Sequence, residues 1–137
     1  MDNQDKRIAS IFDMDEVPEV SDKTLRTYRQ YIKDNIDTVC ELTGIEDFKW
    51  EEYYLIGPGS KKEHEKLRKT RPSYMDRYKI IAFEDELDED YGIFIKLRRI
   101  SDGKKFTLPL ADLKVADKKN PGYKLLDDYS VWFVNWR

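Results

Sequence analysis

The dipeptide Asp102-Gly103 constrains this chain more than any other feature, because it stands between two runs in which apolar and polar residues alternate. Asp-Gly is the strongest short-range signal for a β-hairpin. Both residues tolerate the positive φ that a two-residue turn demands, and that turn matches the twist of paired strands. Such a turn pairs Ser101 with Lys104 and sets Arg99 opposite Phe106, Leu97 opposite Leu108 and Ile95 opposite Leu110. One face of the hairpin then carries Ile93, Ile95, Leu97, Phe106, Leu108 and Leu110; the other carries Lys96, Arg98, Lys105 and Thr107. A half-buried sheet requires that separation, since a one-residue slip would turn every apolar side chain to water.

The remaining elements extend this picture in both directions. Residues 78–84 read as a strand followed by an acidic loop, and residues 111–116 as a further short strand. Residues 39–43 and 49–56 read as two strands around the linker 44–48, the second stopped by Gly57-Pro58-Gly59. Asn120-Pro121-Gly122 turns the chain, residues 125–128 suit one helical turn, and residues 130–136, apolar on both faces, predict a central or closing strand. Two helices are expected from the N-terminal half. Ser21 caps the first, with Val20 and Leu25 as a hydrophobic staple and Leu25, Tyr28, Ile32 and Asn35 or Ile36 as its inward stripe. Ser60-Lys61-Lys62-Glu63 is a capping box opening the second, which must end before Pro72. The fold class is α+β: a small SH3-like antiparallel β-barrel in the C-terminal half with two helices from the N-terminal half. The same elements also fit an open antiparallel sheet with both helices on one side. Residues 1–20, acidic and broken by Pro18, read as a flexible tail, leaving 21–137 as a single domain.

A chain of 137 residues with eighteen aromatics can bury a core without staples. No apolar stretch approaches the ~18 residues of a membrane span, and the acidic start does not read as a signal peptide. Cys40, the lone cysteine, points to a reducing compartment. A cytoplasmic, monomeric protein with no membrane partner is therefore expected. Charge is segregated along the chain. Residues 1–59 carry seven basic and fourteen acidic side chains, whereas residues 60–81 carry eight basic and three acidic. Such polarity favours electrostatic partners.

Catalytic constellations are missing. His64 is the single histidine and sits mid-helix among charged residues, where a solvent-facing ring is expected. Without a second His, no Cys/His zinc set can be assembled, and no G-x-S-x-G elbow exists. The segment Gly57-Pro58-Gly59-Ser60-Lys61-Lys62 has proline where a phosphate loop needs N–H donors. The protein is read as a binder, not an enzyme.

Acidic residues gather in three places: Glu46-Asp47 with Glu51 and Glu52; the run Glu84-Asp85-Glu86-Leu87-Asp88-Glu89-Asp90; and Asp127-Asp128. Oxygen-only ligand sets suit hard cations, calcium taking six to eight oxygens. No EF-hand is present: a loop starting at Asp88 has Gly92 one position early and Arg99 where a bidentate Glu is needed. In an extended strand Glu51 and Glu52 point to opposite faces, so only one of them would join Glu46 or Asp47 unless a bulge intervenes. A solvated acidic surface is the alternative for each cluster.

Three longer strings resemble a known family. Thr38-Val39-Cys40-Glu41-Leu42-Thr43-Gly44-Ile45-Glu46-Asp47-Phe48-Lys49-Trp50-Glu51-Glu52 is similar to the opening of the small bacterial calcium-binding proteins of the cyanobacterial type, the CcbP family. Arg98-Arg99-Ile100-Ser101-Asp102-Gly103-Lys104-Lys105-Phe106 is similar to that family's hairpin. Leu125-Leu126-Asp127-Asp128-Tyr129-Ser130-Val131-Trp132-Phe133-Val134-Asn135 is similar to its C-terminal strand. The resemblance implies reversible Ca2+ binding by surface carboxylates, in a buffering or sensing role without catalysis. By position it makes Glu46, Asp47, Glu51, Glu52, Asp127 and Asp128 candidate metal ligands. Glu84, Asp85, Glu86 and Asp88 are a second candidate group, read from their charge density. The rival expectation is an SH3-like interaction module holding a peptide or nucleic acid. Its surface would be the basic helix with Lys61, Lys62, Lys66, Arg68, Lys69 and Arg71, and the sheet face with Lys96, Arg98 and Lys105. The acidic isoelectric point argues against nucleic acid.

Overall fold

A computed structural model describes residues 2–137. Among them lie five α-helices and one five-stranded antiparallel sheet: α1 (Asn3–Ile11), α2 (Asp22–Asn35), β1 (Glu41–Gly44), α3 (Glu52–Leu55), α4 (Lys61–Leu67), β2 (Tyr78–Asp88), β3 (Gly92–Arg99), β4 (Lys105–Pro109), β5 (Leu113–Val115) and α5 (Pro121–Asn135). Turns of 3-10 helix precede α3, at Lys49–Glu51, and β5, at Leu110–Asp112. Strand order is β4-β3-β2-β1-β5. None of these helices is long and apolar enough to cross a membrane.

The sheet is open, since its edge strands β4 and β5 do not pair with each other. It is nevertheless curled. The outer strands of a flat five-stranded sheet lie about 19 Å apart, whereas the link from Pro109 to Leu113 spans at most about 14 Å even when extended. Only a curled sheet lets so short a turn carry the chain from one edge to the other. The inner surface buries Leu42, Tyr78, Ile93, Ile95, Leu97, Leu113 and Val115 against Leu25, Tyr28 and Ile32 of α2 and Leu126, Tyr129 and Trp132 of α5.

The hairpin forms with a longer loop than expected. The Arg99 amide donates to the Lys104 carbonyl and the Gly103 amide to the Arg99 carbonyl, both at 2.8 Å, with Gly103 at φ 76°. Leu97 therefore faces Phe106, and Ile95 faces Leu108. The register has moved by two residues, which leaves every side chain on its expected face because the strand period is two. Lys96, Arg98, Lys105 and Thr107 are exposed, as that face requires.

Four expectations are corrected. Residues 130–136 are not a strand but the last turns of α5. Asn120 caps that helix by accepting from the Gly122 amide, and Pro121 stands at its first position, where no N–H is needed. Its buried stripe of Leu126, Tyr129, Trp132 and Phe133 follows helical spacing, and that period overrides the apparent two-faced apolarity. Residues 49–56 are likewise helical, a 3-10 turn running into α3. The acidic run 84–90 is mostly strand: β2 continues to Asp88, with register irregularities between Ile80 and Ala82 and between Phe83 and Leu87.

The N-terminal segment is the fourth correction. Asp2 caps α1 through the Asp5 amide, and Ile8 is fully buried. Phe12 packs on Tyr28 and Trp132 at 5.7 and 5.6 Å between ring centroids. The Trp132 indole donates to the Pro18 carbonyl at 2.9 Å, and the Val20 amide to the Trp136 carbonyl at 2.8 Å. Acidic composition concealed a helix that needs only one buried stripe. Replacing Ile8 with alanine is expected to lower unfolding free energy by about 2–4 kcal/mol, read from urea denaturation. A change too small to measure would place this segment outside the cooperative unit.

The first helix read from sequence is found as expected in α2, where Ser21 and Thr24 cap each other reciprocally. The second is α4, capped by Ser60 through the Glu63 amide.

Candidate functional site

A cleft of about 690 Å³ opens where three loops meet one face of α5. The segment after β1 supplies Ile45, Glu46, Asp47 and Phe48, with Lys49 and Glu52 following; the β2–β3 turn supplies Asp90 and Tyr91. Pro109, Ala111 and Asp112 come from the end of β4 and its 3-10 turn. On α5, Asp127, Val131 and Val134 stand three and four residues apart and so share one face. The volume lies within the range of ligand-binding clefts. Ile45, Tyr91 and Val134 are large apolar residues left exposed there, at 42, 58 and 61 %. Their exposure beside an apolar floor that includes Phe48 and Phe133 gives the cleft a wettable but unsatisfied lining.

Its charge is unbalanced. Among the described residues Glu46, Asp47, Glu52, Asp90, Asp112 and Asp127 line it, against Lys49 and Arg137. Burial at the cleft wall, with the Glu46 charge beside it, pushes the Asp112 carboxyl above its ordinary range. A bound cation would relieve both.

The carboxylates expected as metal ligands are distributed unevenly. Glu46, Asp47, Glu52 and Asp127 do line this one cleft. Glu51 does not. It is fully buried, with Oε1 accepting from the Tyr74 amide at 2.8 Å and the Phe48 amide at 3.3 Å, and Oε2 lying 2.7 Å from both Ser73 Oγ and His64 Nε2. Asp128 is also withdrawn: the Arg7 guanidinium donates to both its oxygens at 3.0 Å, and Gln4 adds a third bond. Glu84, Asp85 and Glu86 border a separate shallow depression with Phe94 and Thr107, and Arg29 uses the backbone carbonyls of the first two. Asp88 accepts from the amides of Asp90 and Tyr91, so it shapes a turn. Among the described residues no three or more acid, His or Cys side chains are grouped so as to hold one metal ion.

His64 is buried, against the expectation of a solvent-facing ring. It stacks on Trp50 at 5.5 Å, and the Trp50 indole donates to the Pro72 carbonyl at 2.6 Å. A His, a Ser and a Glu in contact invite comparison with a hydrolase triad, but the order is wrong. Ser73 and His64 both engage Glu51 Oε2, so the hydroxyl has no imidazole positioned to take its proton. The cluster joins α4, the 70s loop and the 3-10 turn.

A second buried hub adjoins it. Arg99 donates to the Arg68, Lys69 and Arg71 carbonyls, to Asp76 and to Asp102. It thereby gathers the carbonyls of the turn that follows α4. Arg68 turns to Asp76 and Arg71 lies over Trp50, so part of the basic helix expected to face a ligand is occupied internally. Lys61, Lys62, Lys66 and Lys69 remain exposed.

Sequence reasoning missed Asp90, Asp112, Tyr91, Val134 and Arg137 as cleft residues. They meet only because α5 is a helix and the sheet curls. Comparison with protein-family models, curated proteins and solved structures found no match to this chain.

Proposed function

We propose that this chain is a non-catalytic binding module whose acid-walled apolar cleft takes a cationic, partly apolar segment of a partner protein. The observation that carries this reading is that six acidic residues line one cleft together with exposed Ile45, Tyr91 and Val134. A basic peptide satisfies both features at once: its charges meet the rim and its apolar side chains cover the floor. We read the curled sheet, with its 3-10 turn before the last strand, as SH3-like, a class in which aromatic-lined grooves hold extended peptides.

The test is titration of a short lysine- and leucine-bearing peptide into protein labelled for amide NMR. Amides of residues 45–48, 90–91 and 130–134 are expected to shift. Replacing Asp47, Glu52 and Asp127 together by their amides is expected to weaken binding about tenfold at low salt, with little effect in concentrated salt. Acidification should weaken it too, and Asp112, raised from its ordinary value by burial and by the Glu46 charge, should lose its charge before a free aspartate would. Unchanged affinity in the triple variant would sink the proposal.

Calcium binding is the second reading, favoured by the meeting of Glu46, Asp47, Glu52 and Asp127 in this same cleft. It requires those side chains to swing inward until several oxygens lie about 2.3–2.6 Å from one point. Calorimetric titration separates the readings. Heat on adding Ca2+, with displacement of the peptide, supports the ion; no heat at near-millimolar Ca2+ removes it.

A further inference from the structure

Among the described residues, one of the two cationic ones lining the cleft is docked against its wall. The Arg137 guanidinium lies 4.8 Å from the centre of the Phe133 ring and donates from Nη1 to the Asp90 carbonyl at 2.8 Å. We infer that this is an arginine subsite, and that Arg137 fills it as a displaceable occupant, competing with an arginine side chain of the partner segment. This inference rests on the reading of the cleft as a site for a basic peptide.

Both halves of the subsite are held in place by other contacts. Phe133 is 4 % exposed and stacks on Tyr129 with 20° between ring planes, so its outer surface is a fixed platform. The Asp90 carbonyl belongs to a turn pinned by Asp88, whose Oδ1 accepts from the Asp90 and Tyr91 amides at 2.6 and 3.0 Å. Gly92 closes that turn at φ 78°, where a side chain would also collide with Tyr129 and Phe133. A rigid aromatic face beside a fixed carbonyl suits a planar guanidinium, which stacks and donates in one pose; a lysine ammonium does this less well.

Arg137 itself is held lightly. The residue is exposed, and no carboxylate pairs with it among the described residues, although the cleft is lined with them. A ring contact and one hydrogen bond to a neutral carbonyl make a weak tether. An arriving arginine with neighbours to engage the acidic rim can displace it.

The experiment compares two acetylated, amidated peptides, one repeating arginine, leucine and glycine, the other with lysine for arginine. Each is titrated against the wild-type chain and Arg137→Gln, with cleft amides followed by NMR. Arg137→Gln is expected to bind the arginine peptide about fivefold or more tightly than wild type, and to gain at most about twofold for the lysine peptide. Equal gains for both peptides would mean that Arg137 acts only through its charge, which overturns the subsite and leaves the cleft reading standing. Unchanged arginine-peptide affinity in Arg137→Gln, with cleft amides still shifting, has the same consequence. Failure of both peptides to shift any cleft amide at millimolar concentration overturns the two readings together.

Discussion

Glu51→Ala is expected to lower the free energy of unfolding by about 3–5 kcal/mol, the range for removing one partner of a buried charged network. Four groups turn to this carboxylate: the amides of Phe48 and Tyr74, the Ser73 hydroxyl and His64 Nε2. Removing it strands them where water does not reach, because Glu51 and Ser73 are fully buried and His64 is 2 % exposed. Each unsatisfied group costs about 1–3 kcal/mol, and a cavity adds to that. Glu51→Gln keeps the volume and an acceptor for the two amides, so it is expected to lose clearly less. Urea denaturation of the two variants decides the matter. Equal, small losses from both would show that Glu51 is not the hub described. The same comparison bears on calcium: if Glu51 served mainly as a surface ligand, either variant would fold with nearly wild-type stability.

Arg99→Met is expected to cost a similar amount, again about 3–5 kcal/mol. The Arg99 side chain is 3 % exposed, and its guanidinium binds Asp76, Asp102 and three carbonyls beyond α4. Methionine matches much of the stem but none of the donors. Arg99→Lys should rescue little, since an ammonium cannot span that fork of acceptors. The pH dependence gives a separate signature. Arg99 hydrogen bonds, aided by the Lys104 amide, hold the Asp102 carboxyl down to about 2. A carboxyl lowered on folding stabilises the native state above its unfolded pKa of about 4 and loses that contribution as pH falls towards its folded value. Wild-type stability should therefore fall between pH 4 and pH 2 more steeply than that of Arg99→Met. Parallel pH profiles would show that the Arg99–Asp102 pair is not coupled to folding.

Local chemistry was most legible where a single side chain decides the backbone. Ser21 and Ser60 are found as helix caps because a hydroxyl accepting from the third amide onward needs nothing distant to help it. The hairpin faces were legible for a related reason. Asp102-Gly103 brings the strands together, and although the loop has four residues, a register error of two preserves the alternation. The Arg99 bond to Asp102 and the Lys104 amide bond to the same carboxylate hold that longer loop, and neither is visible as a turn signal.

Residues 130–136 and 49–56 failed for a different reason. Short apolar runs satisfy both periods, and the choice between strand and helix falls to what they pack against. Trp132 and Tyr129 face Tyr28, and that aromatic contact is made only by a helical α5. Likewise, nothing in its neighbours distinguishes Glu51 from Glu52, yet one is fully buried and the other is exposed at the cleft.

Short-range order, then, was written in the chain: where two helices start, which face of the β-hairpin meets oil and which meets water, and where acid and base accumulate. These depend on neighbours within a few residues, so linear inspection recovers them. Which carboxylates stay free to meet a ligand was settled only on folding. That outcome depends on distances between Glu51 and His64, Asp128 and Arg7, or Arg137 and Asp90, and proximity across such separations comes from packing of distant elements: α4 against the 3-10 turn, α1 against α5, and the β2–β3 turn beside the end of α5.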